Sequence, residues 1–296
     1  MLSRWWIYLK EMYQPSSRLL FSALMTYLTW KLWPGAKQEF PWIPFIASTL
    51  TFALMILYYR VCDEFKDADT DRRFFPERPV PSGRVTLKDL QYLRHTVSGV
   101  AFLLQAFIPY AFIPFLIFWI FSWGMGRWFF MPKLISENRL LAFLTHSPVG
   151  FIGGFYLLAA MVRDHGPLIS STSLALIAVL NIPGLAWEIL RKTRSPKAEQ
   201  EGYQTYSQIL GTGPALTLAG LFITATLFLS IMVAPTWGLP EWTMTVLLSV
   251  HLVILSLLPL IYVRLKKQAL ELRLLGDIYN GSVLLILLVA SSMTVV

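Results

Sequence analysis

Residues 211–234 read GTGPALTLAGLFITATLFLSIMVA and contain no charged side chain. An α-helix needs about 20 predominantly apolar residues to cross the hydrocarbon core of a bilayer. This stretch is long enough for such a helix. It therefore predicts a membrane-spanning helix, and it sets the fold class of the chain.

Comparable stretches fill most of the remaining sequence. Hydrophobic residues make up 55% of the 296 residues and charged residues only 14%, a balance outside the range of soluble domains. We predict an all-α integral membrane protein, a single membrane domain over 1–296 with about nine transmembrane helices and a tight turn near 109–114. The predicted spans are 17–34, 41–62, 92–110, 111–128, 140–162, 168–188, 211–234, 241–263 and 274–295.

The first 16 residues combine charged side chains such as Arg4 and Lys10 with Trp5 and Trp6. This mixture is typical of an amphipathic helix that lies in the membrane interface, so we predict an interfacial helix over 1–16. The sequence shows no transit-like leader, which favours a bacterial inner membrane over an organelle membrane.

The positive charges are distributed unequally between alternate loops. With the N-terminus in the cytoplasm, all of the 25 Lys and Arg residues except Lys31, Lys37 and Arg163 fall on the cytoplasmic side. Basic residues are retained on that side, so the asymmetry supports both the span count and the orientation. The net charge of +8 then reflects topology and contact with anionic lipid, and we expect no nucleic-acid partner. The single Cys62 excludes a disulfide framework and a cysteine-based metal site.

Two hydrophilic loops, 63–91 and 189–210, are longer than the others, and both are predicted to be cytoplasmic. The first begins DEFKDADTDRRFFPERPVPSGR at residues 63–84. If the second span continues as a helix, Asp63, Asp67 and Asp71, which lie at intervals of four, line one face of it, and Glu64 neighbours Asp67 at an interval of three and Asp71 at an interval of seven. Like charges so placed repel each other unless a cation lies among them, and hard oxygen donors suit Mg²⁺.

Arginines follow these acids in a turn that is rich in proline. Arg72, Arg73, Arg78 and Arg84 are interspersed with three prolines and a glycine, a rigid arrangement that can direct guanidinium groups at phosphate oxygens. An alternative interpretation is an acidic helix end in solvent that simply balances these arginines. The loop nevertheless combines ligand types for a metal and for phosphate.

The first loop resembles the signature of the UbiA-type intramembrane prenyltransferase superfamily, N-D-x-x-D-x-x-x-D followed by R-P-x-P-S-G. Asp67, Asp71 and residues 78–83 match this signature, while Asp63 replaces the family's Asn and Glu64 replaces its Asp, two changes that keep oxygen donors. The resemblance implies a nine-helix fold around a central cavity that opens to the bilayer and is capped by the two polar loops. It also implies Mg²⁺ as cofactor, these four acids as metal ligands with Asp67 and Asp71 catalytic, and Arg78 as a ligand of an allylic or polyprenyl diphosphate.

The second loop departs from the family pattern. Lys192, Arg194 and Ser195 occupy positions where aspartates are usual, which leaves Glu188, Glu199 and Glu201 as oxygen ligands. The cations could neutralise a diphosphate directly, or they could be ordinary positive residues that flank a span.

Several residues of this second region are candidate site residues. Glu188 lies at the end of the sixth span and shares a helix face with Asn181, because seven residues separate them. We predict a catalytic role for Glu188 and substrate binding by Asn181, Lys192, Arg194 and Tyr203.

The predicted function is Mg²⁺-dependent ionisation of an allylic isoprenoid diphosphate, followed by transfer of the prenyl group to a lipophilic acceptor. Cyclisation of the substrate without an acceptor, as in terpene cyclases of the same superfamily, ranks second. A transporter or a non-catalytic membrane scaffold ranks third, because transporters usually place ionisable groups near the bilayer midplane. Here such groups gather at one membrane face.

Overall fold

A computed structural model describes residues 1–34, 39–162 and 169–293. Within these ranges the secondary structure is helical, apart from one isolated antiparallel bridge between Arg194 and Glu271. The predicted all-α class is therefore confirmed. Lys37 and Arg163, which were assigned to the non-cytoplasmic side, lie outside the described residues, as do position 168 and the last residues of the span predicted at 274–295.

The helices divide between two compact units, and the first contains residues 1–27 and 39–162 of the described chain. In this unit α3 packs against α5 and α9, and α6 packs against α9. The helices from the N-terminus to the end of the unit are α1 (Leu2–Tyr8), α2 (Pro15–Lys31, whose last residues count with the second unit), α3 (Trp42–Lys66), α4 (Ala68–Phe74), α5 (Leu87–Leu104), α6 (Phe112–Met125), α7 (Pro132–Ser136), α8 (Arg139–His146) and α9 (Pro148–Met161).

Aromatic rings form the contact between α3, α6 and α9. The rings of Phe52 and Phe118 stack with centroids 6.0 Å apart, and Phe118 stacks on Tyr156 at the same distance. Gly153 allows this approach, because a Cβ atom there would lie 2.8 Å from the Phe52 ring and 3.0 Å from the Phe118 ring. The glycine thus sets how closely α9 approaches its neighbours.

The second unit is a separate group of helices that contains residues 28–34 and 169–293. Its core is α10 packed against α12 and α14, with α13 against α12 and α14. Buried His251 and Tyr279 join α13 to α14, with 3.2 Å between His251 Nε2 and Tyr279 Oη. The helices are α10 (Ser171–Arg191), α11 (Tyr206–Leu210), α12 (Thr212–Trp237), α13 (Trp242–Leu265) and α14 (Arg273–Ser292).

Six described helices are long and apolar enough to cross a membrane: α3, the pair α8 and α9 as one segment, α10, α12, α13 and α14. The segment Pro109–Met125, which includes α6, is apolar but shorter. Helices are also present at the spans predicted for 17–34 and 92–110, yet the count of nine spans is not confirmed. The predicted turn between the third and fourth spans is formed by two short 3₁₀ turns, Gln105–Phe107 and Pro109–Ala111.

A capping box fixes the point where the first polar loop ends and α5 begins. The Thr86 hydroxyl accepts a hydrogen bond from the Asp89 backbone N–H, and the Asp89 carboxylate accepts one from the Thr86 N–H. These bonds satisfy two backbone donors that the first turn of a helix otherwise leaves free. The loop is therefore anchored at both ends, by α3 and by α5.

Candidate functional site

The predicted acids lie where α3 passes into α4. Asp67 interrupts the helix with φ −105° and ψ 13°, yet the hydrogen bonds from the Asp67 N–H to the Asp63 carbonyl and from the Asp71 N–H to the Asp67 carbonyl are both 2.8 Å. The backbone thus stays close to helical. Four acids are distributed around its circumference rather than on a single line.

Two of these acids, Glu64 and Asp71, line one small cavity of about 80 Å³. Glu64 is 2% exposed and Asp71 is 6% exposed. Seven helical residues advance about 700°, which leaves the two side chains about 20° apart, whereas Asp63 and Asp71 differ by about 80°. The remaining lining residues are Ala68, Arg72, Val80, Pro81 and Leu87.

Glu64 is held by two residues outside the polar loop. Arg60, one turn earlier in α3, donates to Glu64 Oε1 at 2.5 Å. The Tyr8 hydroxyl lies 3.5 Å from the same oxygen and donates to the Arg60 carbonyl at 3.0 Å. These contacts share one carboxylate oxygen, so they fix the orientation of a buried acid that lines the cavity.

Asp71 is paired with the arginine of the proline turn. Arg78 Nη1 donates to Asp71 Oδ1 at 2.7 Å, and the guanidinium lies 3.7 Å from the centre of the Phe75 ring. An ion pair and an aromatic face together restrict the planar guanidinium group. The structure thus brings together the predicted metal ligand Asp71 and the predicted diphosphate ligand Arg78.

The other two acids lie outside the cavity lining. Asp63 pairs with Lys66 at 3.0 Å, and the nearly buried Lys66 ammonium also contacts His146 Nε2 at 3.3 Å and the Trp128 ring at 4.6 Å. Asp67 is exposed. The predicted shared face of Asp63, Asp67 and Asp71 therefore spans about 80°, because each four-residue step rotates the side chain by about 40°, and of these three acids Asp71 alone lines the cavity.

The proline turn is closed by its own backbone. The N–H groups of Ser82, Gly83 and Val85 donate to the carbonyls of Arg78, Val80 and Pro79 at 3.0, 3.0 and 2.9 Å. Gly83 has φ +77°, a left-handed conformation that glycine adopts without steric cost. Arg84, which follows, is bound to the Glu11 carboxylate through both terminal nitrogens, at 2.5 and 2.9 Å.

The donor chemistry of this cavity fits a hard cation. Glu64 and Asp71 supply carboxylate oxygens, which Mg²⁺ prefers, and Mg²⁺ commonly binds through one or two carboxylates while phosphate and water complete its shell. Among the described ranges, no group of three or more His, Cys, Asp or Glu residues converges as a metal site. The residues best placed to hold the ion are therefore Glu64 and Asp71.

Glu188, the acid predicted in the second loop region, is engaged by neighbouring cations. Arg191 Nε and Nη2 contact Glu188 Oε2 at 2.6 Å, and Lys192 Nζ contacts Glu188 Oε1 at 2.9 Å. Both carboxylate oxygens thus have basic partners, because residues three and four apart are neighbours on a helix. Lys192, predicted to bind substrate, shares this cluster.

The other candidates of the second unit are brought together only in part. Arg194 lies 5.1 Å from the centre of the Tyr203 ring, and its Nε lies 3.3 Å from Glu271 Oε1. The Asn181 amide donates within α10 to the Ile177 carbonyl at 2.8 Å. Arg194 and Tyr203 therefore form one contact pair, whereas the Asn181 amide hydrogen bond stays within its own helix.

Sequence reasoning missed Arg60 and Tyr8. Arg60 precedes Glu64 by four residues, so the helical interval alone could have identified it. Tyr8 is 56 positions from Glu64 along the chain and gives no local pattern that points to this contact. Only packing of α1 against the rest of the first unit reveals it.

Comparison with protein families gives one match over most of the chain. Residues 23–275 match the UbiA prenyltransferase family. No curated protein matches the sequence.

Three solved structures share the fold over nearly the whole chain. A digeranylgeranylglyceryl phosphate synthase has a TM-score of 0.66 at 15% identity, covering 98% of this chain and 99% of its own. A UbiA homologue from Aeropyrum pernix K1, without ligand, has a TM-score of 0.58 at 14% identity, covering 95% and 97%. A UbiA homologue from Archaeoglobus fulgidus bound to GPP and Mg²⁺ has a TM-score of 0.54 at 12% identity, covering 97% and 100%. At these identities the likeness shows the fold.

Proposed function

The chain belongs to the UbiA prenyltransferase family, and from this premise we propose that it ionises an allylic isoprenoid diphosphate with the help of Mg²⁺ and transfers the prenyl group to a lipophilic acceptor. It is a multi-pass integral membrane protein, so both the prenyl chain and the acceptor can reach it through the bilayer. The bound GPP and Mg²⁺ of the Archaeoglobus fulgidus homologue support this substrate and cofactor class.

The observation that carries the proposal is the shared cavity of Glu64 and Asp71 with Arg72 on its lining and Arg78 bound to Asp71. Carboxylates and guanidinium groups are the two ligand types that a metal-bound diphosphate needs. A solvated acidic helix end would leave its acids exposed. Here two of them are buried against one cavity at the end of α3.

We assign Glu64 and Asp71 as the residues that hold Mg²⁺, with Asp63 and Asp67 as outer carboxylates of the same loop. When bound, Mg²⁺ would supply positive charge that lowers the cost of releasing diphosphate. Asp71 also holds Arg78 in place, so its carboxylate serves both the ion and the arginine. Glu64 is oriented for this role by Arg60 and Tyr8.

We assign Arg78 as a diphosphate ligand. Its guanidinium keeps donors beyond the one that Asp71 accepts, because the group carries five N–H bonds. Those donors stabilise the leaving diphosphate more than the intact ester, since negative charge grows on the diphosphate as the C–O bond breaks. The electron pair of that bond stays with the diphosphate, and an allylic cation remains.

The basic residues of the second unit have proposed roles as well. Lys192, Arg194, Tyr203 and Asn181 are assigned to substrate binding. Glu188 is assigned an indirect part in catalysis, because it holds Arg191 and Lys192 in position. The acceptor then donates an electron pair to the allylic carbon and loses a proton, and an apolar surround keeps water from quenching the cation first.

Cyclisation is the second candidate. The second loop has Lys192 and Arg194 where the family pattern has aspartates. The Glu188 carboxylate is paired with Arg191 and Lys192. This region therefore departs from the usual transferase arrangement. If the substrate's own double bond captures the cation, no acceptor is required. The rest of the site chemistry is unchanged.

An assay in nanodiscs separates these candidates. Purified protein is mixed with geranyl, farnesyl or geranylgeranyl diphosphate, with Mg²⁺ or with EDTA, and diphosphate release is measured with and without a lipid extract. We expect Mg²⁺-dependent release that depends on the extract. Diphosphate release without the extract, with a cyclic hydrocarbon or alcohol as the product, would favour cyclisation instead. No Mg²⁺-dependent release at any chain length would rule out both.

A further inference from the structure

The N-terminal arm, defined as residues 1–14, touches the first polar loop region at three separate points. At the first, Arg4 pairs with Asp89 at 3.1 Å and the Trp5 indole donates to the Asp89 carbonyl at 2.8 Å. At the second, Tyr8 contacts Glu64. At the third, Glu11 binds Arg84. These contacts cover the acid that lines the cavity, the proline turn and the cap of α5.

Two tyrosines fasten the arm to α3. Tyr8 is fully buried and donates to the Arg60 carbonyl at 3.0 Å, and Tyr13 is 6% exposed and donates to the Ala53 carbonyl at 2.6 Å. Buried hydroxyls that find acceptors give specific orientation as well as apolar contact. The arm is therefore a packed part of the first unit, beyond the interfacial role predicted from its composition.

The backbone of the arm changes pitch between these tyrosines. The segment Leu9–Tyr13 forms a π-helical turn, in which the Gln14 N–H donates to the Leu9 carbonyl at 2.8 Å. Gln14 then adopts a left-handed conformation with φ +56° before α2 begins at Pro15. Wider turns of this type recur at functional sites because they rotate side chains away from the ordinary helical register. Here the turn contains Glu11, the residue that reaches Arg84.

Arg84 is committed to structural contacts within this arrangement. Its guanidinium binds the Glu11 carboxylate through two nitrogens, donates to the Glu77 carbonyl at 2.7 Å, and donates through Nε to the Ser82 hydroxyl at 3.0 Å. A guanidinium group that binds a carboxylate through two nitrogens fixes the relative orientation of the two groups. Arg84 therefore connects the arm to the proline turn, and it is not a free phosphate ligand.

We propose that the N-terminal arm positions the first polar loop for the reaction, with Glu11 and Tyr8 as positioning residues that act through Arg84 and Glu64. The inference rests on the proposed function, because that function gives the loop its role. Glu11 fixes the proline turn that carries Arg78, and Tyr8 fixes the orientation of the Glu64 carboxylate. Neither residue needs to touch the substrate.

A charge swap tests the Glu11 part. Glu11→Arg and Arg84→Glu are made singly and together, with Glu137→Arg, a reversal at an exposed acid outside both polar loops, as the matched control. We expect each single variant to raise KM for the prenyl diphosphate by about fivefold, the factor that corresponds to about 1 kcal/mol, and the double variant to restore it. Hydrogen exchange of residues 78–85 should speed up in the single variants and return in the double variant. A double variant that stays as impaired as Arg84→Glu would show that Arg84 binds phosphate directly and would overturn this part.

A pair of tyrosine variants tests the Tyr8 part. Tyr8→Phe removes the hydroxyl beside Glu64, whereas Tyr13→Phe removes the other anchor of the same arm on α3 without contact to Glu64. We expect Tyr8→Phe to weaken Mn²⁺ binding, measured by electron paramagnetic resonance as a probe for Mg²⁺, by about threefold. Tyr13→Phe should leave it unchanged. Equal effects of the two variants, or none from Tyr8→Phe, would refute a positioning role for Tyr8.

The outcomes separate this inference from the proposed function. If the wild-type protein releases diphosphate but the variants behave like the Glu137→Arg control, the inference alone fails. If the wild-type protein releases none, the proposed function fails, and hydrogen exchange with Mn²⁺ binding still reports whether the arm orders the loop.

Discussion

At the scale of single residues, the acids of the first polar loop occupy different environments. Glu64 and Asp71 are buried beside one cavity, while the Asp69 side chain is 99% exposed and lies 3.5 Å from Arg72. Burying a carboxylate is costly unless a partner compensates it. Arg60 compensates Glu64 and Arg78 compensates Asp71, and we expect these two buried acids, unlike Asp69, to contribute to the proposed Mg²⁺ site.

We expect Glu64→Gln and Asp71→Asn each to lower kcat for diphosphate release on the order of 100-fold, because each removes one charge that would hold Mg²⁺. Asp69→Asn should stay within about twofold, since an exposed ion pair contributes little. Asp67→Asn should fall between these, as Asp67 is exposed but belongs to the same acidic segment. Steady-state kinetics in nanodiscs provides the measurement, and equal losses from Asp69→Asn and Asp71→Asn would contradict the assignment.

Asp89 supplies a second prediction at this scale, one that concerns stability. Hydrogen bonds from the Thr86 hydroxyl and backbone N–H, with Arg4 nearby, lower the pKa of Asp89 to about 2. An acid whose pKa is lower in the folded state than in the unfolded state stabilises the fold. This stabilisation is complete above the unfolded pKa of about 4, and it is lost as the pH falls through the folded pKa. Asp89→Asn should therefore lower Tm at neutral pH, and the difference from wild type should vanish between about pH 4 and pH 2.

Thermal unfolding in detergent across this pH range checks the Asp89 prediction. Asp69→Asn is the control, because it makes the same chemical change at an exposed acid. A difference in Tm between wild type and Asp89→Asn that persists at pH 2 would show that the lost hydrogen-bond geometry, and not the charge, accounts for the effect.

At the scale of helices, the contact of α9 with α3 and α6 depends on a single missing side chain. A Cβ atom at Gly153 would lie within 3.0 Å of two phenylalanine rings that are themselves stacked. Well-packed interiors respond to an added methyl group by straining rotamers and backbone. Gly99, in α5, has nothing within 4 Å of the corresponding position.

Gly153→Ala should accordingly destabilise the protein by about 1–3 kcal/mol. Gly99→Ala is the matched control, and it should be neutral or stabilising by up to about 1 kcal/mol, because alanine favours a helix interior. Denaturation of the two variants in the same detergent gives the comparison. If both variants unfold like wild type, the ring stack adjusts freely and the close packing of α9 is not essential.

At the scale of the whole molecule, orientation in the membrane remains a prediction from charge. Lys and Arg are concentrated on the loops assigned to the cytoplasm, and positive residues resist translocation. Both polar loops are assigned to that side. The only cysteine of the chain, Cys62, is buried, which makes labelling of introduced cysteines straightforward.

Single cysteines at two exposed positions test this orientation in a Cys62→Ala background. Asp69→Cys lies in the first polar loop, and Glu241→Cys lies at the start of α13 on the predicted opposite side. We expect a membrane-impermeant maleimide added to right-side-out vesicles to label Glu241→Cys only, and inverted vesicles to reverse the result. The same labelling pattern at both positions would contradict the assigned topology.

The sequence by itself determined the fold class, and it predicted the location of the first candidate site. Long apolar stretches and helical intervals are local properties, so they can be read without knowing which segments meet. The acids and arginines of 63–84 were identified in this way, and the seven-residue interval from Glu64 to Asp71 already placed both on one face. Family membership then followed from the matched span of the chain.

Only the tertiary structure decided which groups meet across the chain. Tyr8 reaches Glu64 and Glu11 reaches Arg84 across 56 and 73 positions, and no local pattern encodes such contacts. It also decided that Asp63 and Asp67 stay outside the cavity lining. In the second unit it decided that the Glu188 carboxylate pairs with Arg191 and Lys192. The physical reason is that side-chain pairing depends on burial and on helix rotation, which packing sets and sequence intervals only approximate.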